Sequence, residues 1–387
     1  MKVVFVHGVA NRREPDPEAF QKAIDARHRS FSEWCFERED IGYFDPYWGD
    51  LGAHPDKDLA SIPRGPTVAL GLEGLRVVSP GGSEEGSLDN RVLLEAAKDD
   101  FGAFLTALAA AEMESGDANS LARADLLARY AADLDDEGGD RVETPNWVAS
   151  ASNDAELLKR LQEELDGFSG MESLATLGLG DWLKKAGKKV VSGALGLVDG
   201  PAERLARAAT PHIARFFGDV FIYLKNGARR ADIRQRITDD LTTAARASIE
   251  DGQKLMVVGH SMGAIILYDI LSDQQIVDQL SEEVGTPFAI DLLLTVGTQV
   301  GVFEELDLFA HSKPGVTPGR PPCVGTWWHV YNQMDVLSFG VAGVIEGVQQ
   351  FSVDTGANIV DAHGAYFTSP VFHRRLRKRM KNAGLIV

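Results

Sequence analysis

Residues 255–273 read LMVVGHSMGAIILYDILSD. The unbroken apolar run Leu255, Met256, Val257 and Val258 predicts a strand buried on both faces, as inner parallel strands are. Ile265, Ile266, Leu267, Ile270 and Leu271 recur at helical spacing and predict a helix directly after it. Gly259-His260-Ser261-Met262-Gly263 joins the two, a G-x-S-x-G at a strand-to-helix turn. Such a turn holds its middle serine in a strained backbone conformation, with the hydroxyl raised from the sheet edge. Glycines on either side remove Cβ atoms that would collide in so tight a turn. The helix aims its first N–H groups, and the positive end of its dipole, where an oxyanion would form. Ser261 could otherwise be an N-cap in an ordinary turn. A buried strand before it and an amphipathic helix after it favour a nucleophile.

Outward from this stretch, the flanking segments read as α/β. Val3 to Val6 is a short β-branched run ending at His7-Gly8-Val9, an inner strand followed by a turn. Asp16 to Phe36 predicts a helix, with Phe20, Ile24 and Phe31 on its apolar stripe, and Ile41 to Tyr47 a second strand, completing a βαβ beginning. The pattern returns at Phe216. Asp219 to Leu224 precedes a charged helix, Ala228 to Ile249, that feeds the strand under Ser261. Further strands are expected at Ile290 to Val296, Thr326 to Tyr331 and Gln349 to Val353. The basic tail His373 to Lys381 predicts a solvated terminal helix. The fold class expected is α/β, a doubly wound, mainly parallel sheet.

Residues 51–210 differ in character. Glycine and acidic residues punctuate them, at 81–86 and 135–140, as mobile loops would be. Alanine- and leucine-rich helical patterns lie between, at Val92 to Met113 and Ala118 to Leu134. They read as a large, mostly helical cap inserted into a core of 1–50 and 211–387. Within the cap, Asp181 to Val198 sets Trp182, Leu183 and later Val and Leu residues against Lys184, Lys185, Lys188 and Lys189. It is either a transient contact with a membrane surface or a lid helix packed on the core with solvated lysines.

Of 387 residues, 39 are Lys or Arg and 57 Asp or Glu, a formal charge of −18. This argues against a nucleic-acid partner and against attraction to anionic membranes. The two cysteines, Cys35 and Cys323, lack metal-ligand spacing and fit a reducing compartment. The chain enters a strand at once, without the charged and apolar regions of a signal peptide, and carries no apolar run long enough to span a bilayer. A cytoplasmic protein is expected. No H-E-x-x-H, P-loop or dinucleotide glycine pattern appears, so no metal or cofactor is expected.

A serine hydroxyl needs a neighbouring base, and the base needs an orienting carboxylate. Asp335 follows the strand ending at Tyr331, at the carboxyl edge where open parallel sheets build their sites. His363 follows the last strand, in a loop before the final helix. The order Ser261, Asp335, His363 is that of α/β-hydrolases. Asp307, beyond the Ile290 strand, is the best rival acid; Asp354 and Asp361 are too close in sequence to His363. His329 lies inside a strand as a packed core histidine, and His54, His212 and His311 have no pattern to recommend them.

With these motifs the chain resembles an α/β-hydrolase-fold serine hydrolase of the lipase/esterase-like branch, over roughly 1–50 and 211–387. It lacks the two leading antiparallel strands of larger members, and the insertion has no counterpart. The resemblance makes the N–H of Met262 one oxyanion donor and that of Val9, after His7-Gly8, the second. His7 would hold that loop, and His260 would pack beside the site. The activity implied is cleavage of a carboxylic, lipid-like or acyl, ester through an acyl-enzyme, without a cofactor. The same machinery could serve a thioesterase, an amidase or an acyltransferase, and the fold without turnover a binding module.

Overall fold

The computed structural model describes residues 1–9, 11–53, 91–113, 117–135, 139–169, 183, 187, 218–225, 227–357 and 361–387. His54, His212, the stretch 81–86 and, but for Leu183 and Gly187, the stretch 181–198 lie outside them. Two compact units emerge, one of Met1–Ile62, Ala209–Ser352 and Lys381–Val387, the other of Pro63–Ala208 and Val353–Met380. Segment 353–380, assigned above to the core, therefore falls in the second unit together with the insertion. No helix among the described residues is long and apolar enough to cross a membrane.

The first unit is built on one six-stranded sheet, entirely parallel, in the order β2-β1-β3-β4-β5-β6. The strands are β1 (Lys2–Val6), β2 (Gly42–Phe44), β3 (Leu255–His260), β4 (Ile290–Val296), β5 (Val324–Tyr331) and β6 (Val348–Ser352). Their apolar runs are continuous because both faces are covered. Val4, Val257, Leu293 and Trp327 are neighbours in register on one face. They share a core with Ile233, Ile237, Leu241, Ala244 and Ala245, the helical stripe of Ala228–Glu250. On the opposite face Phe5 stands beside Val258, and Arg27 of helix Pro17–Ser30 lies 3.7 Å over its ring.

Strand order places the site. The chain leaves β1 for β2 on one side, then returns past β1 to β3 on the other. The carboxyl ends of β1 and β3 therefore flank a point where the winding reverses, and there the connections diverge and leave a crevice. His7-Gly8 follows β1 at that point and Ser261 follows β3.

β2 is shorter than expected, residues 218–224 form a helix, and the expected helix from Val92 to Met113 is divided. β2 stops at Phe44, because Pro46 has no N–H to extend a ladder and Asp45 is bound by Arg27 at 2.6 Å and His28 at 2.7 Å. Residues 218–224 are helical, a geometry that puts Val220, Tyr223 and Leu224 on one face against the core and leaves Phe221 65% exposed. Helix Val92–Met113 is two helices, Val92–Asp99 and Phe101–Met113. Asp100 between them is extended, and its Oδ1 accepts the N–H of Ala103 at 2.9 Å as a new N-cap.

The second unit is helical where described, with Leu93, Phe101, Leu105, Leu127, Leu157 and Leu161 among its core. Leu183 belongs to the same core. Asp154 is buried and accepts the N–H of Leu94 at 2.9 Å, capping the start of Val92–Asp99 from another helix. The basic tail corrects the expectation of solvation. In helix Pro370–Asn382, Arg375 and Arg379 are buried, and both bind Asp135, at 2.7 Å and 2.8 Å. Arg374 binds Asp125 at 2.5 Å, and Lys378 donates to the carbonyls of Asp133 and Asp135 at 2.8 and 2.9 Å. A carboxylate buried between two guanidiniums cannot be removed without stranding their charge. Asp135→Ala is expected to lower the free energy of unfolding by about 3–5 kcal/mol in urea titrations followed by far-UV circular dichroism. Asp125→Ala, at a more exposed pair, is expected to lower it by about 1 kcal/mol or less.

Candidate active site

Ser261 has φ 53° and ψ −126° and is one of three non-glycine residues with positive φ among those described. A residue with a Cβ is held there at a cost of about 1–3 kcal/mol, so the surroundings must enforce it. They do so from β4: the Ser261 N–H donates to Val296 O at 3.0 Å, and Thr298 Oγ1 donates to Ser261 O at 3.1 Å. Close packing does the rest. A Cβ at Gly263 would lie 2.2 Å from the carbonyl oxygen of Val6, and one at Gly259 2.7 Å from the Cα of Ala264. Helix Met262–Leu271 thus starts directly against the end of β1. The Ser261 side chain is buried, and Oγ has no hydrogen-bond partner among the described residues. Buried hydroxyls are normally paired, and one left unpaired calls for a functional explanation.

Two stretches of backbone lie next to Ser261, the start of its own helix and the turn at Gly8. Met262 is the first residue of its helix, so its N–H has no acceptor within the helix. Gly8 packs against Ser261: a Cβ there would come 2.7 Å from the serine Cβ and 3.3 Å from Oγ. Gly8 leads into Val9, the other expected donor. His7 fixes this turn. A backbone N–H can only donate, so the contact of Trp48 N–H to His7 Nε2 at 3.3 Å makes that nitrogen the acceptor. Nδ1 then carries the proton and donates to Gly8 O at 2.8 Å. The Trp48 indole stacks on the imidazole and donates to His7 O at 2.9 Å. Burial pushes the His7 pKa down to about 4, so the ring is neutral near pH 7. His260 ends β3 opposite Val296 and is half-buried.

Asp335 is buried in the loop after β5, with Oδ1 accepting the N–H of Leu337 at 3.0 Å. That loop is tied to the elbow through Thr298, whose carbonyl accepts the N–H of Phe339 at 2.9 Å. Gln299 donates to Leu337 O, and His329 Nε2 to Phe339 O at 2.8 Å. His329 is a fully buried, hydrogen-bonded strand histidine. Among the other acids considered, Asp307 is exposed, with φ 53°, just past helix Val300–Glu305. Asp354 lies in the second unit, where burial raises its pKa, and Asp361 is exposed.

One unit therefore gathers Ser261, Met262, His7, Gly8, Val9 and the Asp335 loop, whereas His363, half-buried and seven residues before helix Pro370–Asn382 in the chain, is carried by the other. Sequence reasoning missed Asn11, Trp48 and Thr298. Asn11 stands three residues after Gly8 and donates Nδ2–H to Gly8 O at 3.1 Å and Val9 O at 3.2 Å. An asparagine in a turn is a signal for such local bonding. Trp48 and Thr298 act through space and leave no local pattern. No family model, curated protein or solved structure matches the chain.

Gly263→Ala drives a methyl into backbone that no rotamer change can relieve, and is expected to cost about 3 kcal/mol of stability in urea titrations. Two buried histidines, His7 at the site and His373 in the second unit, set a pH dependence. An unfolded histidine titrates near 6.5, while folded His7 and buried His373 take up protons only near 4. The unfolded chain thus binds more protons between these values. Stability is full above about pH 6.5 and declines as pH falls toward about 4. Melting temperatures across this window are expected to fall less steeply in His7→Gln than in the wild type.

Proposed function

We propose that the protein is a serine hydrolase of the α/β-hydrolase type, cleaving a carboxylic ester, lipid-like or acyl, through an acyl-enzyme. The observation that carries this reading is Ser261 itself: left-handed at a strand-to-helix turn, at the reversal of the sheet, with a buried unpartnered hydroxyl. In this reading His363 takes the hydroxyl proton as Oγ attacks the acyl carbon. Electrons of the carbonyl bond move to its oxygen, which the N–H groups of Met262 and Val9 stabilise. Collapse re-forms the carbonyl and expels the leaving alcohol, which receives the proton from His363. Water then repeats the sequence and releases the acid. Asp335 orients His363 and stabilises its imidazolium. Thioester or amide cleavage and acyl transfer to another acceptor use the same groups, and a substrate panel separates them.

The test is labelling with a fluorophosphonate probe, read by intact mass. One adduct on the wild type and none on Ser261→Ala is expected, with labelling of His363→Ala and Asp335→Asn slowed about 10²–10⁴-fold. A wild type that stays unlabelled, with and without detergent micelles, would overturn the enzyme reading in favour of a binding module.

A further inference from the structure

The Gly8–Val9 peptide starts against the side chain of Ser261. Its carbonyl takes two hydrogen bonds, from His7 Nδ1 at 2.8 Å and from Asn11 Nδ2 at 3.1 Å. The next carbonyl, of Val9, is also turned to Asn11 Nδ2, at 3.2 Å. In a trans peptide the C=O and N–H point to opposite sides of the chain. Holding the Gly8 carbonyl toward His7 and Asn11 therefore turns the Val9 N–H away from them. Asn11 is itself anchored: Gly49 packs so closely on its backbone that a Cβ there would lie 1.9 Å from Asn11 O. The other clamp, His7, is locked in its Nδ1–H form by Trp48.

We infer that Asn11 is a positioning residue for the oxyanion hole, setting the Gly8–Val9 peptide so that the Val9 N–H faces the oxygen on the acyl carbon attacked by Ser261. The inference rests on the hydrolase reading of Ser261. Without the Asn11 amide, one hydrogen bond on Gly8 O remains and the Val9 carbonyl loses this donor, so the peptide is free to rotate. An oxyanion donor acts on charge that develops in the transition state, so its misplacement slows the chemical step more than it weakens binding.

Fluorophosphonate labelling measures both quantities, because phosphonylation of Ser261 also builds negative charge on an oxygen in the hole. The wild type is compared with Asn11→Ala, Asn11→Ser and Asn11→Asp by intact-mass time courses over a range of probe concentrations. In Asn11→Ala the rate at saturating probe is expected to fall about 10–100-fold, with the half-saturating concentration within about threefold of wild type. The final labelled fraction and the melting temperature stay near those of the wild type, whereas loss of folding would lower both. Asn11→Ser keeps one donor and falls between, and Asn11→Asp, which sets a carboxylate against two carbonyls, is slowest. A saturating rate in Asn11→Ala within about twofold of wild type would overturn the inference. Should that variant fail to fold, equal rates for the serine and aspartate variants would do the same. A labelled wild type with unslowed variants removes this inference alone. An unlabelled wild type removes the hydrolase reading, and this inference with it.

Discussion

The first unit depends on a close approach of backbone to backbone: helix Met262–Leu271 begins against the end of β1, with Gly263 next to the Val6 carbonyl. Three consequences follow from that contact. Ser261 has no room to relax out of its left-handed conformation. Gly8 is pressed onto the serine side chain. The first turn of the helix, with a Met262 N–H that has no acceptor in the helix, comes to the crevice between β1 and β3. Hydrogen bonds to the Val296 carbonyl and from the Thr298 hydroxyl then lock the elbow to the end of β4, and the Thr298 carbonyl carries the same order into the Asp335 loop. Strain at one residue is thus held by packing and bonding spread over four strands.

Around this elbow the turn after β1 is unusually well tied. His7, Asn11 and Trp48 hold its carbonyls, and Arg12 one residue further binds Asp219 at 2.8 Å. Asp219 also accepts the N–H of Ala53, so the residues where the chain leaves for the insertion and returns from it meet at one buried ion pair. The second unit uses the same device: Asp135 gathers two arginines from a helix about 240 residues later in the chain. Charges that look like solvent-exposed tails in one dimension become fasteners when their partners arrive. Buried pairs of this kind act chiefly by making any alternative arrangement costly.

Much of the fold was legible because its signals are local. Short apolar runs mark β1, β3 and β4, and the glycines around Ser261 mark a turn with no room for a Cβ. The βαβ spacing called for a parallel sheet, and the sheet is parallel throughout. Where reading failed, the deciding force was not local. Residues 218–224 are as apolar as a strand, but only helical geometry puts Val220, Tyr223 and Leu224 on one face toward the core. Pro46 trimmed β2, and Asp100 divided a helical run by capping its second half. The basic tail looks solvated in sequence because its counter-charges lie in a different part of the chain.

The candidate site divides in the same way. The sequence alone determined the elbow and the turn after β1, since G-x-S-x-G after a buried strand and His-Gly after another are short-range patterns set by backbone sterics. It also determined which residue types stand beyond the later strands. Only the tertiary structure decided that Ser261 is wholly buried with its hydroxyl unpaired, that His7 is neutral with its proton on Nδ1, and that Asn11 holds two carbonyls beside the serine. It alone decided that 353–380, His363 included, belongs with the helical unit. Burial, tautomer and hydrogen-bond direction depend on atoms that meet only after folding, from segments whose separation along the chain no local pattern encodes.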